Sequence, residues 1–300
     1  MKIAVTGAFS YSGKYIAARL LDRGEEVITL TGHPNRPDPF GGRVKVFPLT
    51  FDDASQLGAS LRGVDVLINT YWVRFDRREN TQPRAVENTR KLVSAAARAG
   101  VKRIVHISIT QPSENSPLPY FWGKAANEKT VIESGLSYAI LRPTVLIGRE
   151  DILINNIAYL LRRFPFFLIP GDGGYHLQPV YVEDLADLVV EAVYRADNTV
   201  VDAVGPDIFT FQEMVELIGE KIGARRKSLR VPARLALLAA QFMSIFLGDV
   251  LLTPEEVDGL MADLLVSGDP PRCHTRLADW LEQNRTVVGM RYASELAKHY

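Results

Sequence analysis

Short apolar runs rich in valine and isoleucine recur through the first half of the chain: KIAVT (2–6), EVITLT (26–31), RVKVF (43–47), DVLINTY (65–71), RIVHISI (103–109) and YAILRP (138–143). Their hydrophobicity is nearly continuous rather than alternating, which predicts strands buried on both faces, as in a parallel sheet. Helical patterns lie between most of them. In residues 12–23, Ile16 and Leu20 share a face with Ala17 and Leu21, while Lys14, Arg19 and Asp22 point away, and Gly24 follows as a C-terminal stop. A second helix starts at Asp52 or Asp53 and ends near Gly63, and a third runs from Pro83 to Gly100. Strands alternating with helices predict an α/β fold, a Rossmann-type doubly wound parallel sheet over residues 1–150.

After RPTVLIG (142–148) the rhythm changes. Helical segments at 151–163, 183–195, 210–222, 233–247 and 254–265 dominate, with short apolar pieces such as TVVDAVG (199–205) between them. Residues 151–300 therefore read as a smaller, mixed, mainly helical C-terminal lobe that selects substrate. No internal repeat or low-complexity linker separates the two.

Charge and cysteine content narrow the picture. The 300 residues carry 35 basic and 35 acidic side chains, so no overall field recruits nucleic acid. The lone Cys273 permits no internal disulfide, and Met1 leads directly into a strand, from which a cytoplasmic protein is expected. The longest apolar stretch, LALLAAQFMSIFLG (235–248), holds Gln241 and Ser244 and falls short of the about 20 residues that span a bilayer. Core burial, the lining of an apolar pocket, a homodimer seam and peripheral membrane contact remain its open alternatives. Five histidines (33, 106, 176, 274 and 299) show no metal-ligand spacing, and no G-x-S-x-G nucleophile elbow occurs.

The chemistry begins at TGAFSYSGKYIAARLL (6–21). Gly7 and Gly13 hold the outer positions of a G-x-x-S-x-x-G turn between a strand and a helix. Phe9, Ser10, Tyr11 and Ser12 form the loop that would meet a pyrophosphate at the helix N-terminus. Ser10, where a third glycine is usual, adds a small side chain whose hydroxyl can donate to phosphate.

With this turn, three further stretches resemble the short-chain dehydrogenase/reductase superfamily, in its extended and atypical branch. They are VENTRKLVSAAARAGVKRIVHIS (86–108), YFWGKAANEKTVIESGLSYAILRPTVLIG (120–148) and LQPVYVEDLADLVVEAV (177–193), the last like the family's return to the sheet. The chain is most similar to epimerase/dehydratase-like proteins and to the group of the complex I 39-kDa subunit. The resemblance implies a bound NAD(P). No acidic residue ends the second strand; Thr31 and His33 stand there, with Arg36 nearby, so NADP is expected ahead of NAD. Thr50 replaces an adenine-binding aspartate, leaving the Phe51 backbone to serve. By resemblance, Asn69, Thr70 and Tyr71 line the dinucleotide path, and Pro143 and Val145 border the nicotinamide.

Tyr120 and Lys124 lie four apart on one helical face, where an ammonium lowers the pKa of a phenol for proton transfer. The resemblance adds a ribose contact from Lys124 and a third group just past the fifth strand. There the alignment meets Ile109, between Ser108 and Thr110, either of which would have to serve. Asn88 resembles a supporting asparagine, or is a surface or packing residue. Two functions follow. One is an NAD(P)-dependent oxidoreductase or epimerase acting on an unnamed small-molecule carbonyl or alcohol. The alternative is a non-catalytic NADP-binding protein, an assembly subunit or redox sensor.

Overall fold

The computed structural model describes residues 1–294 and residue 296. The chain forms two compact units, Met1–Pro143 with Val182–Ala203, and Thr144–Tyr181 with Val204 onward. The first unit opens with β1 (Lys2–Thr6), α1 (Tyr11–Asp22), β2 (Glu26–Thr31), β3 (Lys45–Pro48) and α2 (Ala54–Ser60). It continues through β4 (Val66–Asn69), α3 (Gln82–Ala99), β5 (Arg103–Ile107), α4 (Pro119–Ile132) and β6 (Ser137–Pro143). The chain then passes through β7 (Leu146–Ile147), α5 (Leu153–Arg163), β8 (Phe166–Pro170), β9 (His176–Leu177) and β10 (Val180–Tyr181) of the second unit. It returns to the first as α6 (Val182–Tyr194) and β11 (Thr199–Ala203).

All the strands of the first unit join one parallel sheet of seven, ordered β11-β6-β5-β4-β1-β2-β3. The apolar runs therefore become a doubly wound sheet whose order reverses at β1 and β4. Alternate residues serve opposite faces. Ala4, Leu67, Ile104 and Ile140 pack with Leu57, Leu92 and Val131 from α2, α3 and α4, while α1 packs beside α6. Arg19 of α1 reaches Asp187 and, at 3.1 Å, Glu183 of α6. Caps fix the helix ends: Asp53 accepts from the Gln56 N–H at 2.9 Å, and Gly100 ends α3 at φ 80°.

The piece TVVDA, read by sequence among the short segments of the second lobe, pairs along its length with β6. The returning segment also satisfies a buried cation. Arg103, 4% exposed, donates to the carbonyls of Ala192 at 2.8 Å and Asp197 at 3.0 Å, and to Ser137.

The second unit adds β12 (Phe209–Thr210), α7 (Phe211–Lys221), β13 (Lys227–Val231), α8 (Ala233–Leu247), α9 (Pro254–Met261) and α10 (Leu277–Asn284). Its core gathers Ile154, Leu161, Ile169, Met214, Ile218 and Trp280 from α5, β8, α7 and α10. Phe166–Pro170, as β8, pairs in parallel with β13. The helix expected over 254–265 ends at Met261, and the eight-residue α10 had no sequence signal.

Candidate functional site

Because the sheet is parallel, the carboxyl ends of β1 to β6 share one edge, and the expected site residues of the first unit collect there. β1 runs into Gly7, which sits at φ 70°, a left-handed conformation that favours glycine, and donates to the Leu30 carbonyl at 2.9 Å. The turn closes with Ser10 N–H on the Gly7 carbonyl at 2.8 Å. A Cβ on Gly13 would overlap that same carbonyl oxygen, so only glycine lets α1 start this close to β1. Ser10 Oγ lies 3.0 Å from that added Cβ position and 3.2 Å from the corresponding one on Gly7. The hydroxyl thus fills a niche inside the turn that the two glycines leave open.

Ser10 is the N-cap of α1 but makes no side-chain cap bond, and the first turn of the helix holds no carboxylate. The opening N–H groups of a helix have no acceptor within it, and the dipole there favours an anion. The turn, with Phe9, Tyr11 and Ser12 around it, fits a pyrophosphate by this combination of close backbone and uncompensated donors.

At the end of β2, Thr31 Oγ1 accepts from the His33 N–H at 2.9 Å, and the loop turns with Arg36 N–H on the His33 carbonyl at 3.2 Å. Asp38 is the one acid between β2 and β3. It is held by the N–H groups of Phe40 at 2.7 Å and Gly42 at 2.6 Å. Its charge is thus engaged by its own loop, and His33 is exposed with Arg36 half-buried. Beyond β3, Thr50 bonds Gln56 at 2.9 Å, and the Phe51 ring lies 4.9 Å from that of Tyr71.

The end of β4 is tied to its neighbours. Thr70 N–H donates to Thr6 Oγ1 at 2.7 Å, and Thr70 Oγ1 to the Thr6 carbonyl. Asn69 is fully buried; its Oδ1 accepts from Tyr71 N–H at 3.1 Å and its Nδ2 faces His106 Nδ1 at 3.1 Å. An amide nitrogen donates, so His106 Nδ1 accepts and the ring proton sits on Nε2. Burial and the Lys124 charge pull the His106 pKa down to about 3, in keeping with a neutral ring. No spacing or motif along the chain points to this pair, 37 positions apart. Tyr71 in turn accepts from Asn88 Nδ2 at 2.9 Å, and burial raises its pKa. Asn88 is itself 8% exposed, which places it inside rather than on the helix surface.

Tyr120 and Lys124 share a face of α4, with Nζ 5.8 Å from the phenol ring centroid. Lys124 is 4% exposed and donates to the Ile107 carbonyl at 3.0 Å. Desolvation lowers its pKa to about 7 against a partial restoring pull from Glu128. That carboxylate is already engaged by Arg142 in a two-pronged pair, at 2.8 and 2.5 Å, which leaves little of its charge for the lysine.

Sequence reasoning also missed Trp72. Its indole stands edge-on to Tyr120 with centroids 5.8 Å apart, and its ring centroid is 5.0 Å from Lys124 Nζ. A Cβ on Gly123 would come within 2.5 Å of Trp72 Cη2, so this glycine is what admits the indole.

Past β5, Ser108 and Thr110 donate their N–H groups to the carbonyls of Leu141 at 2.8 Å and Pro143 at 3.1 Å. The parallel register therefore continues without a bulge, and Ile109 faces opposite to both. Ser108 is 3% exposed, and among the described residues its Oγ has no hydrogen-bond partner. Pro143 ends β6 on the shared edge. Val145 lies in the second unit, against that unit's own core.

A family model described as NAD(P)H-binding matches residues 7–159, which hold the turn, the β4 end and the Tyr120–Lys124 helix. The chain belongs to the NAD(P)H-binding family. Its fold is that of the extended short-chain dehydrogenases/reductases, shared with epimerases and with subunits related to complex I. The mitochondrial NADH dehydrogenase (ubiquinone) 1 alpha subcomplex subunit 9 of Arabidopsis thaliana is 25% identical over 282 residues, 88% of this chain and 70% of that protein. An uncharacterized Mycobacterium tuberculosis protein is 28% identical over 222 residues, 73% of this chain but 23% of the other. Among solved structures, an Escherichia coli NADPH-dependent quinone oxidoreductase in complex with NADPH superposes with a TM-score of 0.74. It shares 20% identity and the match covers 94% of this chain and 99% of that one, a likeness of fold.

These relatives correct one expectation of the sequence. Those from Arabidopsis, Dictyostelium discoideum, Neurospora crassa and Mus musculus are all described as mitochondrial, against the cytoplasmic placement. The physical reason is plain: a chain with one buried thiol is consistent with a reducing compartment but does not say which.

Proposed function

We propose that this NAD(P)H-binding chain holds NADP(H) along the shared strand edge as an assembly subunit or redox sensor, without turnover of its own. The Gly7–Gly13 turn and the α1 N-terminus would hold the pyrophosphate, and Arg36 with His33 the 2′-phosphate. The Phe51 backbone would meet the adenine, with Asn69, Thr70 and Tyr71 along the path between. The dinucleotide, when bound, supplies a hydride.

The observation that carries the reading is Trp72. Its indole lies against both Tyr120 and Lys124, the two groups that proton transfer would need. Two further features agree with it. Ile109 stands where a serine or threonine would polarise a substrate oxygen, and the Arabidopsis relative is named as a subunit of a larger assembly.

A second reading, an oxidoreductase or epimerase acting on a small carbonyl or alcohol, is favoured by one specific feature. Lys124 is buried beside the Tyr120 ring, and an ammonium there stabilises the phenolate. Tyr120 would then move the proton, with Ser108 assisting, and Pro143 would border the nicotinamide.

Titrating the protein with NADPH and NADH by nicotinamide fluorescence tests the proposal. NADPH binds more tightly, Arg36→Ala narrows the gap about tenfold by removing a charge-assisted phosphate contact, and no carbonyl reduction depends on Tyr120. Turnover that Tyr120→Phe abolishes while NADPH still binds establishes the enzyme instead. Equal affinity for both dinucleotides removes the 2′-phosphate assignment.

A further inference from the structure

In the second unit, α8 shows solvent the kind of face a surface helix usually buries. Leu235, Leu238, Phe242 and Ile245 are 54%, 60%, 63% and 79% exposed. Their spacing of three, four and three residues sets them on one stripe of the helix. Ala236 and Ala240, each 7% exposed, lie on the opposite side, toward the body of the unit. Isolated exposed leucines are ordinary, but a continuous stripe of four large apolar side chains marks an interaction surface.

The segment leading into this helix supplies the second half of the pattern. Arg225, Arg226, Lys227, Arg230 and Arg234 all fall within ten residues and are all exposed. No Asp or Glu occurs between Gly223 and Gly248, in a chain whose net charge is zero. Arg225 pairs with Glu220 at 2.9 Å; Arg226 donates to the Leu161 carbonyl at 3.0 Å and Arg230 to Gln212 at 2.6 Å. Among the described residues, then, four of the five cations have no carboxylate partner.

We propose that α8 and the basic segment before it dock this protein on an anionic lipid surface. The apolar stripe enters the boundary between headgroups and acyl chains, and the arginines and Lys227 meet lipid phosphates. Length fits this placement: fifteen residues make a helix of about 22 Å, which lies in the plane of a membrane. No helix among the described residues is long and apolar enough to cross one. Charge favours a lipid surface over a second copy of the chain: the same segment of a second copy offers the five cations no Asp or Glu, whereas an anionic headgroup layer offers counter-charge along its whole extent. The inference uses only the second unit and stands whether or not the chain turns over a substrate.

Flotation of the whole protein with phosphatidylcholine vesicles, with and without phosphatidylserine, tests it. Binding is expected to the phosphatidylserine vesicles, to weaken as salt is raised, and to be lost in Leu238→Glu/Ile245→Glu. The triple variant Arg226→Ala/Lys227→Ala/Arg230→Ala should bind on the order of 100-fold more weakly, about fivefold per charge. Every substituted side chain is exposed, and far-UV circular dichroism with NADPH titration confirms that each variant is folded. Three results overturn the proposal: no binding to anionic vesicles, binding indifferent to Leu238→Glu/Ile245→Glu, or a concentration-dependent dimer in sedimentation that Ile245→Glu dissociates. The last assigns the face to a second copy.

Discussion

Replacing Lys124 by methionine asks whether the helix carries a cation or a neutral amine at the pH where the protein works. Its pKa is 10.5 when free and about 7 in the fold. Below pH 7 the amine is protonated in both states, and the folded state bears the full cost of the buried charge, roughly 5 kcal/mol at 1.36 kcal/mol per unit. Between pH 7 and 10.5 the unfolded chain binds more protons than the folded one, so raising pH stabilises the fold. From pH 7 to pH 9 the gain is about 2 kcal/mol.

Lys124→Met keeps the shape of the side chain and has no proton to bind, so its stability lacks this slope. Urea unfolding of both proteins at pH 7, 8 and 9 isolates the effect, because every other titrating group cancels in the difference. The parent should gain about 2 kcal/mol on the variant across that range. Parallel curves would show that Lys124 keeps an ordinary pKa, with Glu128 supplying the charge that Arg142 is held here to neutralise. The desolvation argument would then fail.

Three further outcomes are expected. His106 stays neutral in the fold down to about pH 3 while the unfolded chain protonates near 6.5, so stability falls as pH drops through that window. The loss should reach about 2 kcal/mol between pH 7 and 5 and vanish in His106→Gln, whose side-chain oxygen can still accept from Asn69; an unchanged acid limb in urea melts refutes it. Asn88→Ala leaves the half-buried Tyr71 hydroxyl without its donor and should cost about 1–2 kcal/mol in the same assay, against no change if the amide were a surface group. Gly13→Ala drives a Cβ onto the Gly7 carbonyl and should abolish NADPH binding by fluorescence titration; near-parental affinity would show that the turn is not the phosphate cradle.

The sheet was legible because burial on both faces leaves a parallel strand apolar almost throughout, and runs such as KIAV and VLI carry that pattern. Gly7, Gly13, Tyr120 and Lys124 were legible because fixed spacing along the chain places them on one turn and one helix face. Pairings across the fold were not. Nothing in RIVHI reveals that His106 accepts from an asparagine on the neighbouring strand, and nothing in YFWGK tells which ring occupies the space that Gly123 leaves. TVVDA is too short for its hydrophobicity to indicate which sheet it joins, and its place is set by β6. The exposed face of α8 was beyond reach for a related reason: composition marks a helix as apolar, while which side it buries depends on the body it packs against.

The return of residues 182–203 to the first unit bears on how the protein is made. When the ribosome has released the nucleotide-binding half through Pro143, β6 still lacks its outer neighbour, α1 lacks α6, and the Arg103 guanidinium has no carbonyls from 192 and 197 to receive it. At roughly 5–20 residues per second, about 3–12 s pass while residues 144–203 are added. Through that interval the nascent sheet presents an open parallel edge, the feature most apt to pair with a neighbouring chain. Completion of the dinucleotide fold is therefore tied to synthesis of the intervening 144–181 segment, and a chain cut short there would be a substrate for chaperones before it could bind NAD(P)H.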